Sequence, residues 1–353
     1  MNLDDWRSRI NELDNQILHL LNQRAEAALN IGDLKRRKDG PSYVPEREAE
    51  ILTRLTNQNT GPLPAGTVRA IWAEIISACR ALEQPLRVAY LGPPATFSHQ
   101  AALKRFGAGA TLVPARSIAD VFDDVERGRA DVGMVPVENS TEGAVNVTLD
   151  RLAEADVVIS GELYLEVAQQ LLSRAATLAE IKRVVSHPQA LAQCRAWLAE
   201  TLPGVTLEDV SSTAAAAEIA AADATVAAIA SDLAGRLYGV PVLRERIEDF
   251  RDNATRFLVL GRQPSGPTGR DKTSIVFAMR DEPGALYRIL EPCARLGINL
   301  SKIESRPAKR RPWRYVSFVD LDGHRDTPTL AAVLDDIGAR TLFLKILGSY
   351  PAG

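Results

Sequence analysis

The chain has 353 residues, 46% of them hydrophobic and 25% charged, with a formal net charge of -3. Two or three domains of ordinary globular composition are expected, with small molecules as partners, because no basic excess exists to track the phosphates of a nucleic acid. Three scattered cysteines (Cys79, Cys194, Cys293), Asp4 and Asp5 at the amino terminus, and an alanine-rich run broken by Glu218 and Asp223 suggest neither disulfides, zinc, export nor a membrane span, and fit a reducing cytoplasm.

The first element is a long helix. Leu3, Trp6, Ile10, Leu13, Ile17 and Leu20, then Arg24, Ala27, Ile31 and Leu34, recur three and four residues apart, as one sustained seam. Arg24 falls on that seam, where an unpaired charge is costly. It should face an anionic ligand or, alternatively, a carboxylate such as Glu48. Lys35 lies about 20° around the helix and roughly 16 Å further along, so both cations can reach one small dianion. Arg7 is about 25 Å from Arg24 and is expected to serve a site in a partner chain. A helix roughly 50 Å long also exceeds what 84 residues can cover, and an interlocked dimer would cover it.

A second helix opens at Pro45, with Arg47 and Glu48 on its first turn and Ile51, Leu52 and Leu55 facing inward. A third runs from about Pro64 to Glu83, with Val68, Ile71, Ile75, Cys79 and Leu82 inward and Glu83 beside that face. Residues 1 to 84 resemble the all-helical chorismate mutase domain of bacterial bifunctional chorismate mutase/prephenate dehydratases. The resemblance implies that Arg7, Arg24 and Lys35 grip the carboxylates and ether oxygen of chorismate and that Glu48 holds its ring hydroxyl, with Val44, Arg47, Cys79 and Glu83 also at the substrate. A pericyclic rearrangement needs only a pocket that holds the compact conformer and stabilises charge on the ether oxygen, which gives Arg24, Lys35 and Glu83 catalytic roles. The chain departs from family pattern at Val44, where some members have Asp, and at Cys79 and Glu83, where Ser and Gln occur. A glutamine donates a hydrogen bond at any pH, whereas Glu83 donates only when protonated.

Pro85 marks a boundary, after which LRVAYL begins an alternation of strands and helices. Polar runs follow the strands: GPPATFSHQ after Leu91, ENSTEG after Val137, SHPQAL after Val185, SST after Val210 and ASD after Ile229. Each is expected to be a strand-to-helix turn. Singly each is an N-cap; five on one sheet topology suggest a cleft whose helix starts seat carboxylates. The stretch DNATRFLVLG, Asp252 to Gly261, closes this pattern as a buried strand with a polar head, either a strand cap or the rim of a ligand site.

VPVENSTEG, SHPQAL and DNATRF stand in the order and spacing of the prephenate dehydratase domain, which residues 86 to 262 resemble. That implies two α/β lobes around a cleft, like a type-II periplasmic binding protein. Pro94 and Ala95 replace the usual acidic residue and Gly but leave Thr96, Phe97 and Ser98. Thr255 of the TRF motif is implied as the donor to the departing hydroxyl of prephenate. Glu138, Asn139 and Ser140 are expected in the cleft, with Thr96, Ser98, Ser212 and Thr213, and with Asn253 and Phe257 of the DNATRF run. Arg256 should point the other way if strand alternation holds, as an ion-pair member or a clamp. His187 and His99 are candidate acids or bases, or simply satisfied loop histidines.

After the spacer QPSGPTGRD, KTSIVFAM reads as a strand, GALYRILEPCARLG as a helix, INLSKIESRP and RYVSFVDLDG as strands, Thr329 to Ile337 as a helix and Leu342 to Leu347 as a last strand, a ferredoxin-like βαββαβ order. The run Lys309, Arg310, Arg311 is expected in a solvated hairpin turn. Residues 272 to 353 resemble an ACT regulatory domain through GAL (Gly284, Ala285, Leu286) and ESRP (Glu304, Ser305, Arg306, Pro307). The resemblance implies a phenylalanine site at a dimer interface, Asn299 included.

The three segments together imply an enzyme converting chorismate to prephenate and then to phenylpyruvate, inhibited by phenylalanine, without a cofactor, as a homo-oligomer, most simply a dimer. A mutase/dehydrogenase would need a nicotinamide site, and no G-x-G-x-x-G follows a strand. A non-catalytic amino-acid sensor is the other alternative, against which Thr255, Arg24, Lys35 and Glu48 all stand.

Overall fold

Apolar residues every third or fourth position, with no proline and no glycine before Gly32, make the first stretch one continuous helix, α1 (Leu3–Arg37). The structure, a computed structural model, describes residues 2–37, 43–307 and 315–353; the basic run Lys309, Arg310, Arg311 lies outside them. α2 (Pro45–Gln58) starts on its proline, and α3 (Ala65–Glu83) packs against both other helices. Leu3, Trp6, Ile10, Ile17 and Leu20 are each more than half exposed, so this chain leaves the seam of α1 uncovered.

α3 is rotated from expectation. Ile71 and Leu82 are 46% and 54% exposed, whereas Ser77 and Arg80 are buried. The polar face is inward because it docks on the middle segment, where Ser77 Oγ accepts from the Gly109 N–H (3.1 Å) and Arg80 donates to the Phe106 carbonyl (3.0 Å).

The first lobe of the middle segment comprises β1 (Arg87–Leu91), α4 (Phe97–Phe106), β2 (Thr111–Ala115), α5 (Ile118–Glu126), β3 (Val132–Asn139), β4 (Gly143–Ala144), α6 (Asn146–Glu154) and β5 (Val158–Glu166). The chain then builds a second lobe from β6 (Gln170–Ser173), β7 (Arg183–Ser186), α7 (Pro188–Gln193), α8 (Arg195–Thr201), β8 (Thr206–Asp209), α9 (Thr213–Ala222), β9 (Val226–Ala230), α10 (Asp232–Tyr238) and β10 (Val242–Arg244). It returns to the first lobe as β11 (Ala254–Gly261). The sheets run β2-β1-β3-β11-β5, with β4 paired to β3, and β10-β6-β9-β7-β8. Two strands of chain join the lobes side by side: the Val167 N–H donates to the Asn253 carbonyl (2.8 Å) and the Ile247 N–H to the Gln169 carbonyl (2.9 Å).

Four of the five expected strand-to-helix turns carry side-chain caps, from Thr96, His187, Ser212 and Ser231. ENSTEG does not: it folds back as a hairpin, Glu138 and Asn139 pairing with Ala144 and Gly143, and α6 starts only after Val145.

The last segment is β12 (Asp271–Ala278), α11 (Ala285–Arg295), β13 (Leu300–Pro307), β14 (Tyr315–Asp322), α12 (Pro328–Arg340) and β15 (Phe343–Pro351), in the order β13-β14-β12-β15. The final strand runs four residues past Leu347 because it pairs with β12 along its length. One face of this sheet carries both helices. The other joins the first lobe in one continuous core, where Val276, Phe318, Leu347 and Tyr350 pack among Val135, Ile159 and Leu258. The approach is close at Gly348, where a β-carbon would stand 2.2 Å from the Ile159 carbonyl oxygen.

Candidate active and effector sites

The three helices of the first segment enclose a cavity of about 610 Å³. Arg24, Lys35, Val44, Arg47, Glu48, Cys79 and Glu83 all line it; Arg7 does not, standing exposed near the start of α1 and bonded to Asp4 (3.4 Å). Lys35 Nζ is 3.5 Å from Glu83 Oε2. Among the described residues no carboxylate pairs with Arg24, whose guanidinium lies 5.9 Å from the Trp72 ring centre. Glu48 pairs instead with Arg80 and, at 3.5 Å, with Arg105 of α4. Arg105 also donates to the Tyr43 hydroxyl (2.8 Å), and burial pushes that phenol up to about 12 against the opposing pull of Arg105.

Arg54, Trp72 and Arg80, outside the expected set, line the cavity as well. Arg54 lies seven residues, two turns, after Arg47, which is a legible signal. Arg80 follows Ile76 by one turn in an otherwise apolar stretch. The arrangement offers several cations and two carboxylates around a space suited to a small dianion.

Between the two lobes lies a second cavity of about 330 Å³. Thr96, Ser98, Asn139, His187, Ser212, Thr213, Thr255 and Phe257 line it. β11 lies between β3 and β5, and the register sets Thr255 beside Asn139 and Leu165 on the cleft face. Arg256, one residue on, points to the opposite face, as the alternation predicts. There it meets Glu162 (2.8 Å), Asp320 (2.5 Å) and the Tyr350 hydroxyl (3.0 Å). Burial pulls this guanidinium down, but Tyr350, Asp320 and Glu162 together hold it above its ordinary value.

Three other predicted residues lie outside the cavity lining. Glu138 shares the Arg256 face and pairs with Lys302 of β13 (2.5 Å). The Ser140 hydroxyl donates to the Asp252 carbonyl (3.3 Å) and accepts from the Ala254 N–H (3.0 Å), closing the loop beneath the cleft. Asn253 is buried and accepts from Asn139 Nδ2 (2.8 Å).

Asn139 is oriented without ambiguity, since its Oδ1 accepts from the Thr141 N–H (3.1 Å), the Thr141 hydroxyl (2.6 Å) and the Glu142 N–H (3.2 Å). Its Nδ2 therefore donates to Thr255 Oγ1 (2.9 Å). That fills an acceptor site of the threonine and leaves its hydrogen free for the cleft. Both histidines accept from backbone: His187 Nδ1 from Gln189 (3.3 Å) and His99 Nδ1 from Ala95 (3.0 Å), with His99 stacked on Tyr90 and its ring lowered in pKa by burial.

Ala95 has φ 71°, a conformation that favours glycine, and its methyl group sits in the core of the second lobe while its carbonyl accepts from Ser231 (3.2 Å). The altered turn thus ties the two lobes together at the rim. Gln169, Gln189, Gln193 and Ser211 also line the cleft. Gln189 and Ser211 fall within the SHPQAL and SST runs, whereas no sequence signal marked Gln169 or Gln193.

A third cavity, about 820 Å³, opens beside α11. Gly284, Ala285, Leu286 and Ser305 line it, together with Asp281, Glu282, Tyr287 and Tyr315. Gly284 takes φ 76° as the cap of α11, a backbone a side chain would strain. Glu304 and Pro307 lie on edge strand β13 outside this lining. Asn299 donates to Asp322 (2.9 Å), and Arg306 reaches the first lobe, at the Asn146 carbonyl (2.7 Å) and Asp150 (3.4 Å).

Residues 6–84 match the family model of chorismate mutase type II, residues 88–265 that of prephenate dehydratase and residues 273–339 that of the ACT domain. The bifunctional chorismate mutase/prephenate dehydratase of Aquifex aeolicus is 48% identical over 353 residues, which is 99% of this chain and 98% of its own. Among solved structures, the prephenate dehydratase of Arthrobacter aurescens in complex with L-Phe is 37% identical with a TM-score of 0.69, covering 75% of this chain and 90% of that one. GqqA, described as a novel type of quorum quenching acylase, is 33% identical with a TM-score of 0.69, covering 76% of this chain and 98% of its own.

Proposed function

The chain belongs to the family of bifunctional chorismate mutase/prephenate dehydratases, and we propose that its two reactions run in the helical pocket and in the interlobe cleft. It catalyses the rearrangement of chorismate to prephenate and the decarboxylative dehydration of prephenate to phenylpyruvate, under feedback by L-phenylalanine. In the first step one C–O bond breaks and one C–C bond forms, with no proton moved. Arg24, Lys35 and Arg47 hold the two carboxylates and the ether oxygen, and Glu48 takes the ring hydroxyl. Glu83 donates to the ether oxygen only when protonated. Glu83→Gln, which puts an N–H donor at that place, is therefore expected to raise mutase turnover; turnover unmoved by the substitution would count against this role.

In the second step the C–O bond of the ring hydroxyl and the bond to the ring carboxylate break together. The electron pair of the breaking ring–carboxylate bond aromatises the ring, carbon dioxide leaves, and the oxygen departs as water with a proton drawn from solvent, Thr255 giving it a hydrogen bond without losing its own hydrogen. The observation that carries this reading is the hydrogen bond from Asn139 to Thr255, which leaves the threonine hydrogen to point at the departing oxygen. A hydrolytic acylase, the activity described for one similar structure, needs a hydroxyl activated by a base. Among the described residues no cleft hydroxyl bonds to a histidine ring or to a carboxylate side chain. Phenylpyruvate formed from chorismate by the purified chain tests the whole sequence of reactions.

Feedback is read as phenylalanine binding beside Gly284 and Ser305, with Lys302 and Arg306 of β13 linking that sheet to β3 and α6. It requires two states that the amino acid binds unequally. We extend the reading to a homodimer in which a second copy covers α1 and supplies Arg7 to the partner's pocket. Mutase turnover per chain should then fall on dilution in step with the monomer fraction from sedimentation; rate constancy through dissociation would refute it. The three free thiols suit a reducing cytoplasm, and among the described residues no helix is long and apolar enough to cross a membrane.

A further inference from the structure

The chain crossing between the lobes carries Gln169, which is 2% exposed yet lines the cleft with Thr255, Asn139 and Ser98. Its Nε2 donates to Gln193 Oε1 (3.1 Å), and Gln193 Nε2 donates to Glu142 Oε1 (3.3 Å). The direction of this relay is set at its far end. An ionised carboxylate can only accept, so Gln193 must turn its N–H groups to Glu142 and its carbonyl to Gln169; Gln169 must then turn its own N–H groups to Gln193. What remains is Gln169 Oε1, a buried acceptor without a partner among the described residues. Such an orphan is costly unless a ligand donates to it.

The backbone places this oxygen on the right face. Leu165 stands opposite Thr255, and alternation along the continuing chain puts Val167 and Gln169 on that same side; both line the cleft. Resting on the dehydratase reading of the cleft, the chemistry then selects one group of the substrate. Prephenate near neutral pH presents two carboxylates and a ketone, all acceptors. Its ring hydroxyl is its one donor.

We infer that Gln169 is a further substrate-binding residue whose side-chain carbonyl accepts the hydrogen of the ring hydroxyl. That contact turns a lone pair of the same oxygen toward the free hydrogen of Thr255. The departing atom is thus held from two sides, by an acceptor on its hydrogen and a donor on its lone pair, and no other group on prephenate satisfies both.

The test uses the full chain with Q169L. Phenylpyruvate formation from prephenate is expected to lose about ten- to hundredfold in kcat/KM, while mutase turnover stays within about twofold. A competitive inhibitor with hydrogen in place of the ring hydroxyl should bind parent and variant alike. A Q169L variant within about twofold of a fully active parent overturns the assignment, as does an equal loss of affinity for substrate and inhibitor, which marks a merely structural role. Should Q169L also lose mutase turnover, E142Q at the surface carries the test. It removes the group that sets the amide directions and should cost roughly two- to fivefold in dehydratase kcat/KM with inhibitor affinity kept; no change overturns the assignment. A parent that forms no phenylpyruvate defeats the dehydratase reading itself, a separate result.

Discussion

Thr255→Ala is expected to slow phenylpyruvate formation by about two to four orders of magnitude while leaving chorismate consumption within about twofold of the parent. The methyl group keeps the β-branched residue's place on β11 only in part, but the strand is held by two neighbours, β3 and β5, and by Arg256 behind it. The lost element is the hydroxyl hydrogen that Asn139 frees. Because both reactions belong to one chain, mutase turnover is the internal check that the protein is folded. Steady-state assays from prephenate and from chorismate decide the matter: dehydratase turnover within a few-fold of the parent would remove Thr255 from the chemistry.

Arg256→Met should destabilise the chain by about 3–5 kcal/mol, seen as a lower urea midpoint by circular dichroism. Arg256 is 6% exposed and faces Glu162 and Asp320 together. Glu162 would keep Lys272 at 2.8 Å, but among the described residues the Asp320 carboxylate would keep only the Ser274 hydroxyl at 2.5 Å, so a buried carboxylate would lose its cation. Replacing Asp320 by Asn in the same chain should recover part of the loss, since the amide needs no counter-charge and Ser274 can still bond to it. A single variant within about 1 kcal/mol of the parent would show the cluster to be far less costly to break than a buried ion pair ordinarily is.

Much of this was legible from local pattern. The alternation along Thr255, Arg256 and Phe257 set the three side chains on their observed faces, because a period of two leaves no freedom once a strand is buried on both sides. The order of elements in the first and last segments followed from periodicity and turn residues, whereas in the middle segment the expected alternation of strand and helix breaks where β4 follows β3, β6 follows β5 and β11 follows β10. What stayed hidden depended on docking between segments. The inward face of α3 could not be read from its own spacing, because Ser77 and Arg80 are buried against residues 106 to 109 of another domain. Arg306, on its motif an effector residue, spends its guanidinium on the first lobe for the same reason. ENSTEG looked like a helix start because a hairpin and a cap draw on the same small polar residues. Gln169 carried no signal at all, since a lone amide in a connecting segment acquires meaning only from the partners that the fold brings to it.

The two junctions in the chain differ in kind. The helical segment meets its neighbour through polar contacts such as Arg80 to Phe106 and Glu48 to Arg105, groups that water can satisfy if the two part, and through Tyr43, whose ring packs on Phe106. Val276, Phe318, Leu347 and Tyr350, by contrast, are interior residues shared across the other joint. A chain cut in the spacer at residues 262 to 270 would strip an oily sheet face bare and invite clumping, whereas one begun at Pro85 would shed its helices and keep its solubility. The last segment is in this sense not an attachment but the back wall of the first lobe.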